Sequence, residues 1–183
     1  MKDSRHEILN FWFVETEPAL WFQVNPAFDA QLRDTFEALH GMARDGLCDS
    51  WMNDADGCLA LVLLLGQFPR QMFRGTAKAY DTDDKALLLA KHAVLKGFDQ
   101  LMAPEKRRFF YLPFQNSEKR SDHKRSVELF GRMQKEDPLS YEWALKDQKL
   151  IDHFDRFPKR NAVLGRENTP EEQEYLAGKA LES

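Results

Sequence analysis

A chain of 183 residues, 43% of them apolar and 31% charged, suffices for one compact domain that buries roughly 70% of its unfolded surface. Leu and Ala number 40 while Val, Ile and Thr together number 13, which excludes a sheet-rich fold and predicts a single all-α domain over residues 1–183. The formal charge of −4 excludes the global positive field that non-specific nucleic-acid binding needs.

Ser4 and Glu7 read as a capping box that opens a first helix carrying Ile8, Leu9 and Trp12 and ending near Phe13. Asn25, as cap, and Pro26 begin a second, with Phe28, Leu32, Phe36, Leu39 and Ala43 on one stripe and Gly46 as its stop. From about Asp56 to Gln67 the pattern is apolar nearly all round, so this helix should run through the core until Pro69 ends it. Asp81 or Thr82 caps the next, which turns Ala86, Leu89, Ala90, Ala93 and Val94 inward and finishes at Gly97. Pro104 starts another with Phe109, Phe110 and Leu112, and Pro113 should break it.

An amphipathic helix follows from about Glu118 to Lys135, burying Val127, Phe130 and Met133. Asp137 and Pro138 turn the chain into a helix whose inner face is Tyr141, Leu145, Gln148 and Ile151, before Pro158. Thr169 and Glu172 form a second capping box, with Pro170 opening a last helix to Ala180. The sum is about eight helices with short links, an arrangement that favours stacked antiparallel hairpins as a bundle or a curved helix-pair array.

Cys48 and Cys58 match neither a zinc spacing nor a disulfide framework, so both are expected as reduced thiols. His6, His40, His92, His123 and His153 lack ligand spacing, and no metal or cofactor is expected. The N-terminal residues lack an apolar signal core, and the apolar run Cys58 to Leu65 is far short of the ~20 residues that span a bilayer. A cytoplasmic protein with no membrane partner is the expectation.

Charge is uneven along the chain: residues 1–66 hold 4 basic and 11 acidic groups, residues 67–125 hold 13 and 7, and residues 126–183 hold 9 and 12. Basic groups cluster just past two proline breaks. At the first, Arg70 and Arg74 stand four apart and would face one ligand if the residues after Pro69 are helical. At the second, Lys159, Arg160, Asn161 and Arg166 follow Phe157-Pro158. Guanidinium forks suit carboxylate or phosphate. The alternative is that these arginines cap helix C-termini, bonding the free carbonyls of the two broken helices. Common descent and chance remain equally open for the similarity of the two breaks.

Tyr111 to Glu118 turns abruptly from apolar to polar, and Glu118 reads either as a partner of one of the arginines or as a favoured charge in a helix N-terminal turn. Phe11, Trp12, Phe13, Trp21 and Phe22 read as core, although a tryptophan beside arginines can wall a pocket. No Gly-x-Ser-x-Gly, Walker or dinucleotide motif is present.

The runs Asn10-Phe11-Trp12-Phe13, Leu61 to Leu65 into Gln67-Phe68-Pro69-Arg70, and Met72-Phe73-Arg74-Gly75-Thr76 resemble the bacterial domain-of-unknown-function 924 family. So do Tyr111-Leu112-Pro113-Phe114, Ser117-Glu118, Arg156-Phe157-Pro158, Arg160-Asn161 and Leu164-Gly165-Arg166. The resemblance spans nearly the whole chain and implies a tetratricopeptide-like helical fold without implying a function. Carried over by position, it points to Gln67, Arg70, Arg74, Ser117, Glu118, Arg160, Asn161 and Arg166, with Asn116 beside them. Gly66, Gln71, Asn116 and Lys159 stand where the family commonly has Asp, Asn, His and His. These departures leave Glu118 as the one candidate acid or base. Three readings follow: a protein that binds a small anion or carboxylate-bearing peptide through its arginines, an enzyme acting on such a ligand with Glu118, or a protein-interaction scaffold.

Overall fold

The computed structural model describes residues 4–178, and no strand occurs among them. Helix α1 (Ser4–Asn10) winds on through a wide turn, Phe11–Glu15, past the expected end at Phe13. It begins at Ser4 itself, so the residue that would cap it lies outside the described residues. In α2 (Pro26–Arg44) the Asn25 side chain accepts from the Phe28 amide at 3.1 Å, as expected, and Phe28, Leu32, Phe36 and Ala43 are buried.

The molecule is built around α3 (Ala55–Val62), in which every residue from Gly57 to Val62 is buried. Its cap is Asp54, whose carboxylate accepts from the Gly57 amide at 2.8 Å. Gly57 lets the preceding turn, Asp49–Asn53, lie directly on the helix, since a Cβ there would sit 2.3 Å from the Trp51 carbonyl oxygen. Contrary to expectation, Pro69 does not end this helix. A wide helical turn, Leu63–Gln67, leads without a break into α4 (Phe68–Met72). Proline has no amide to offer the carbonyl four residues back. That carbonyl, Leu65 O, instead accepts the Thr82 hydroxyl at 2.6 Å. Thr82 precedes α5 (Asp83–Lys96), and this bond takes the place of the cap its hydroxyl was expected to make.

Helix α5 ends as expected at Gly97, in the left-handed region at φ +73°. It packs on α6 (Pro104–Asn116), and here too an expected break fails: the helix passes through Pro113. Phe109, Phe110, Tyr111 and Phe114 are all buried around that proline, and their packing outweighs the roughly 3 kcal/mol an internal proline costs. Gly66 permits the close crossing at this point, since a Cβ there would meet the Ala86 Cβ at 3.1 Å and Pro113 Cγ at 3.9 Å.

Helix α7 runs over Arg120–Gly131, shorter at both ends than expected, and buries Leu129 and Phe130 while Val127 is half-buried. Helix α8 (Pro138–Phe154) follows the expected turn at Asp137-Pro138, and the Asp137 side chain caps it by accepting from the Ser140 amide. Its buried residues are Ala144 and Ile151, whereas Leu145 is exposed. This inner face is rotated from the expected one and leaves Leu139 and Trp143 uncovered. The last helix, α9 (Pro170–Leu176), carries the expected capping box of Thr169 and Glu172, and Ala180 lies outside the described residues. Because α3 and α4 form one rod, the described residues make eight helices. Successive helices from α5 to α8 pack on their neighbours in series, with α3 against α1, α5 and α6.

Past α8 the chain is tied back by a polar clamp. Arg166 meets both oxygens of Glu118, at 2.6 and 3.0 Å, and also bonds the Asn161 side chain and the Phe157 carbonyl. The Phe157 amide donates to Glu118 at 2.8 Å. Arg156 holds both oxygens of Glu172, which also accepts from Asn161. The Arg156 guanidinium, despite burial and aided by the Thr169 amide, holds the Glu172 carboxyl at about 2. Burial raises the Glu118 pKa, but Arg166 and the Phe157 amide outweigh it and the net direction is down.

Both carboxyls therefore bind protons more weakly folded than unfolded, so their contribution is complete above the ordinary carboxylate range and is lost as pH falls toward 2. Thermal melts should show Tm dropping over that interval, and Glu118→Gln should cost about 2 kcal/mol at pH 7 and flatten the drop. Burial raises the thiol of Cys48 and pushes that of Cys58 up to about 12. Neither thiol should react with iodoacetamide at pH 8 until the protein is unfolded.

Candidate functional site

Trp21 is placed by a short turn, Pro18–Trp21, that proline opens. Its indole donates to the Trp12 carbonyl at 3.0 Å, and its own carbonyl accepts two side-chain amides, Gln67 at 2.9 Å and Gln71 at 2.8 Å. The ring stacks on Trp12 at 6.0 Å and meets Phe109 edge-on at 5.3 Å. Five polar and aromatic contacts thus hold Trp21 as a rigid wall, and the exposed Phe22 extends it by stacking on Phe109 at 6.2 Å.

Opposite this wall stands the first stretch of α8, with Leu139, Ser140 and Trp143. The back is α6, with Leu112, Gln115 and Asn116. Together they enclose a cleft of about 560 Å³, within the roughly 300–1,000 Å³ range of small-molecule sites. The rod α3–α4 supplies the remaining side. Gln67, Arg70, Gln71 and Arg74 recur at the spacing of one helical face, and the unbroken passage through Pro69 delivers all four to the cleft.

The cleft holds three guanidinium groups, and each is engaged by a carboxylate. Arg70 grips Asp83 through two bonds of 2.7 and 2.9 Å and donates to the Gly66 carbonyl. Arg74 grips Asp29 at 2.6 and 3.0 Å. Arg108 is bonded to Asp137, the residue that caps α8. The site therefore presents positioned donors on fixed forks without a large excess of positive charge. Both Arg70 Nε and Arg74 Nη1 lie outside these pairings.

Of the residues singled out from sequence, Gln67, Arg70, Arg74 and Asn116 line the cleft. Glu118, Asn161 and Arg166 belong to the clamp on the C-terminal segment, and Ser117 donates to Asp122 at 2.8 Å. With both Glu118 oxygens bonded and its pKa held down, this carboxyl suits orientation of Arg166 better than proton transfer. Arg160 donates to the Asn116 carbonyl at the end of α6, a helix other than the two that the capping alternative named. Its guanidinium also lies 4.9 Å from the Tyr80 ring centre, with Arg70 at 5.5 Å from the same ring. The two proline breaks thus meet at Tyr80, through these two arginines, while Arg74 and Arg166 are held elsewhere by Asp29 and Glu118. Burial, and after it the Arg70 charge, lowers the Arg160 pKa.

Arg108, Gln115, Leu139 and Trp143 were not singled out from sequence. The Asp137-Pro138 turn was legible, but nothing local links Arg108 to a carboxylate 29 positions away. Trp143 lies two positions out of phase with the face chosen. Among the described residues no group of three or more His, Cys, Asp or Glu side chains is placed to hold a metal ion, and no helix is long and apolar enough to cross a membrane.

No curated protein matches this chain. A solved structure from Agrobacterium tumefaciens, described as a protein of unknown function, is 38% identical and superposes with a TM-score of 0.91, covering 96% of this chain and 98% of that one. The family model described as "Bacterial protein of unknown function (DUF924)" matches residues 8–180, and the chain belongs to that family.

Proposed function

We propose that the cleft binds a small organic acid, a molecule with a compact apolar body and one carboxylate or phosphate head, the carboxyl end of a peptide included. A single observation carries this reading: one cavity of about 560 Å³ sets the forks of Arg70, Arg74 and Arg108 against the apolar walls of Trp21, Phe22, Leu112 and Trp143. The apolar body removes ring surface from water, which supplies affinity, and the donors fix which way round the ligand lies.

The partner carboxylates shape this chemistry. Asp83 and Asp29 hold the guanidinium planes still, so a ligand meets donors already oriented and loses less entropy on binding. They also offset the charge, so a head with hydrogen-bonding geometry is favoured over a bare ion. Gln115 and Asn116 at the back add carboxamide groups that suit a peptide or an oxyacid.

The test is a thermal-shift and calorimetric panel of octanoate, hexyl phosphate, cyclohexylacetate and an acetylated dipeptide at low and high salt. At least one should stabilise the protein, by about 2.7 kcal/mol at a hundredfold excess over its Kd, and less as salt rises. Leu139→Glu places a negative charge at an exposed position of the cleft wall and should abolish the effect, and Arg74→Ala should weaken it by roughly tenfold. A panel with no stabilisation, or stabilisation unaltered in Leu139→Glu, overturns the reading.

A further inference from the structure

We propose that a second cavity, which shares the Trp143 side chain with the cleft, is a separate binding site for a planar organic anion, an aromatic carboxylate or phosphate. The inference is independent of the reading of the cleft. This cavity measures about 320 Å³, enough for a single substituted ring, and it lies between α8, the turn Pro158–Arg160 and α9. Phe157, Tyr175 and Trp143 supply aromatic walls, while Lys146, Lys149 and Lys159 supply charge.

The two cavities differ in what their cations are doing. Every arginine of the cleft is held by a carboxylate, whereas none of the three lysines forms a salt bridge among the described residues. Positive charge is reinforced from behind the aromatic wall, where the Arg160 guanidinium lies 4.3 Å from the centre of the Phe157 ring and has no carboxylate partner among the described residues. Lys146 lies over the Trp143 ring at 4.8 Å from its centre, and Lys149 and Lys159 are exposed, so ammonium groups beside a ring-lined hollow suit a point-charge head on a flat body.

Asp147 is the one carboxyl among the residues lining this cavity, and it accepts from the Gln115 side chain at 2.6 Å. Burial raises its pKa, against the lowering influence of Gln115, His123, Arg160 and Lys159. The Gln115–Asp147 bond joins a residue of the cleft to a residue of this cavity.

Calorimetry with benzoate and phenyl phosphate, using benzyl alcohol and inorganic phosphate as probes lacking the charge and the ring, tests this. Both aromatic anions should bind, each at least about tenfold more tightly than the two controls, with affinity falling as salt rises. The double variant Lys149→Glu with Lys159→Glu changes two exposed side chains and should weaken phenyl phosphate by roughly tenfold at an unchanged Tm. Leu139→Glu, which sets a negative charge at the cleft wall, should leave that binding intact. Binding lost in Leu139→Glu but kept in the double lysine variant would place the anion in the cleft and overturn the inference, as would no binding of either aromatic anion to the unaltered protein.

Discussion

The hydroxyl of Thr82 on the carbonyl of Leu65 decides the course of the most buried helix in the molecule. Pro69 deprives that carbonyl of its ordinary partner, and an unsatisfied carbonyl in a dry core would cost on the order of 1–3 kcal/mol. With a donor supplied from outside, helical winding continues to Met72, so Gln67, Arg70 and Gln71 stay on one side of a rigid rod and Arg74 follows in the turn just past its end. A chain that left the rod at Pro69 would scatter those four side chains. The wide turn just before the proline is part of the same solution, and Gly66 within it lets α5 and α6 approach closely enough to complete the back of the cleft.

Anchoring of the arginines follows from that rod. Arg70 reaches Asp83 at the start of α5, the helix whose preceding residue is Thr82, so the bond that carries the rod past Pro69 also fixes the position of the carboxylate that Arg70 needs. Arg74 reaches across 45 positions to Asp29 in the first turn of α2. These pairs are half-buried, and their worth lies as much in orientation as in stability. The molecule thus contains two kinds of cationic surface. In the cleft, arginine forks are immobilised and largely neutralised; around the second cavity, none of the three lysines forms a salt bridge among the described residues.

A separate polar network, built from Glu118, Arg166, Asn161, Arg156 and Glu172, ties the C-terminal segment back onto the body. It takes in Arg166 and Asn161 of the second set, and their donors are consumed in fastening one part of the chain to another. Lys159 lines the second cavity instead, and Arg160 meets Arg70 at Tyr80.

Sequence by itself determined the helical class, most helix starts and the identity of the central segment. Leu and Ala composition, the Asn25-Pro26 and Thr169-Pro170 starts, the stop at Gly97 and the apolar run to Leu65 act through bonds and sterics within a few residues, so a local pattern contains them. Tertiary structure alone decided whether Pro69 and Pro113 break their helices, which face of α8 is buried, and which carboxylate each arginine takes. Each of those outcomes depends on a group dozens of positions away, such as Thr82 for the rod, Asp29 for Arg74 or Asp137 for Arg108, and no spacing rule along the chain encodes such a meeting.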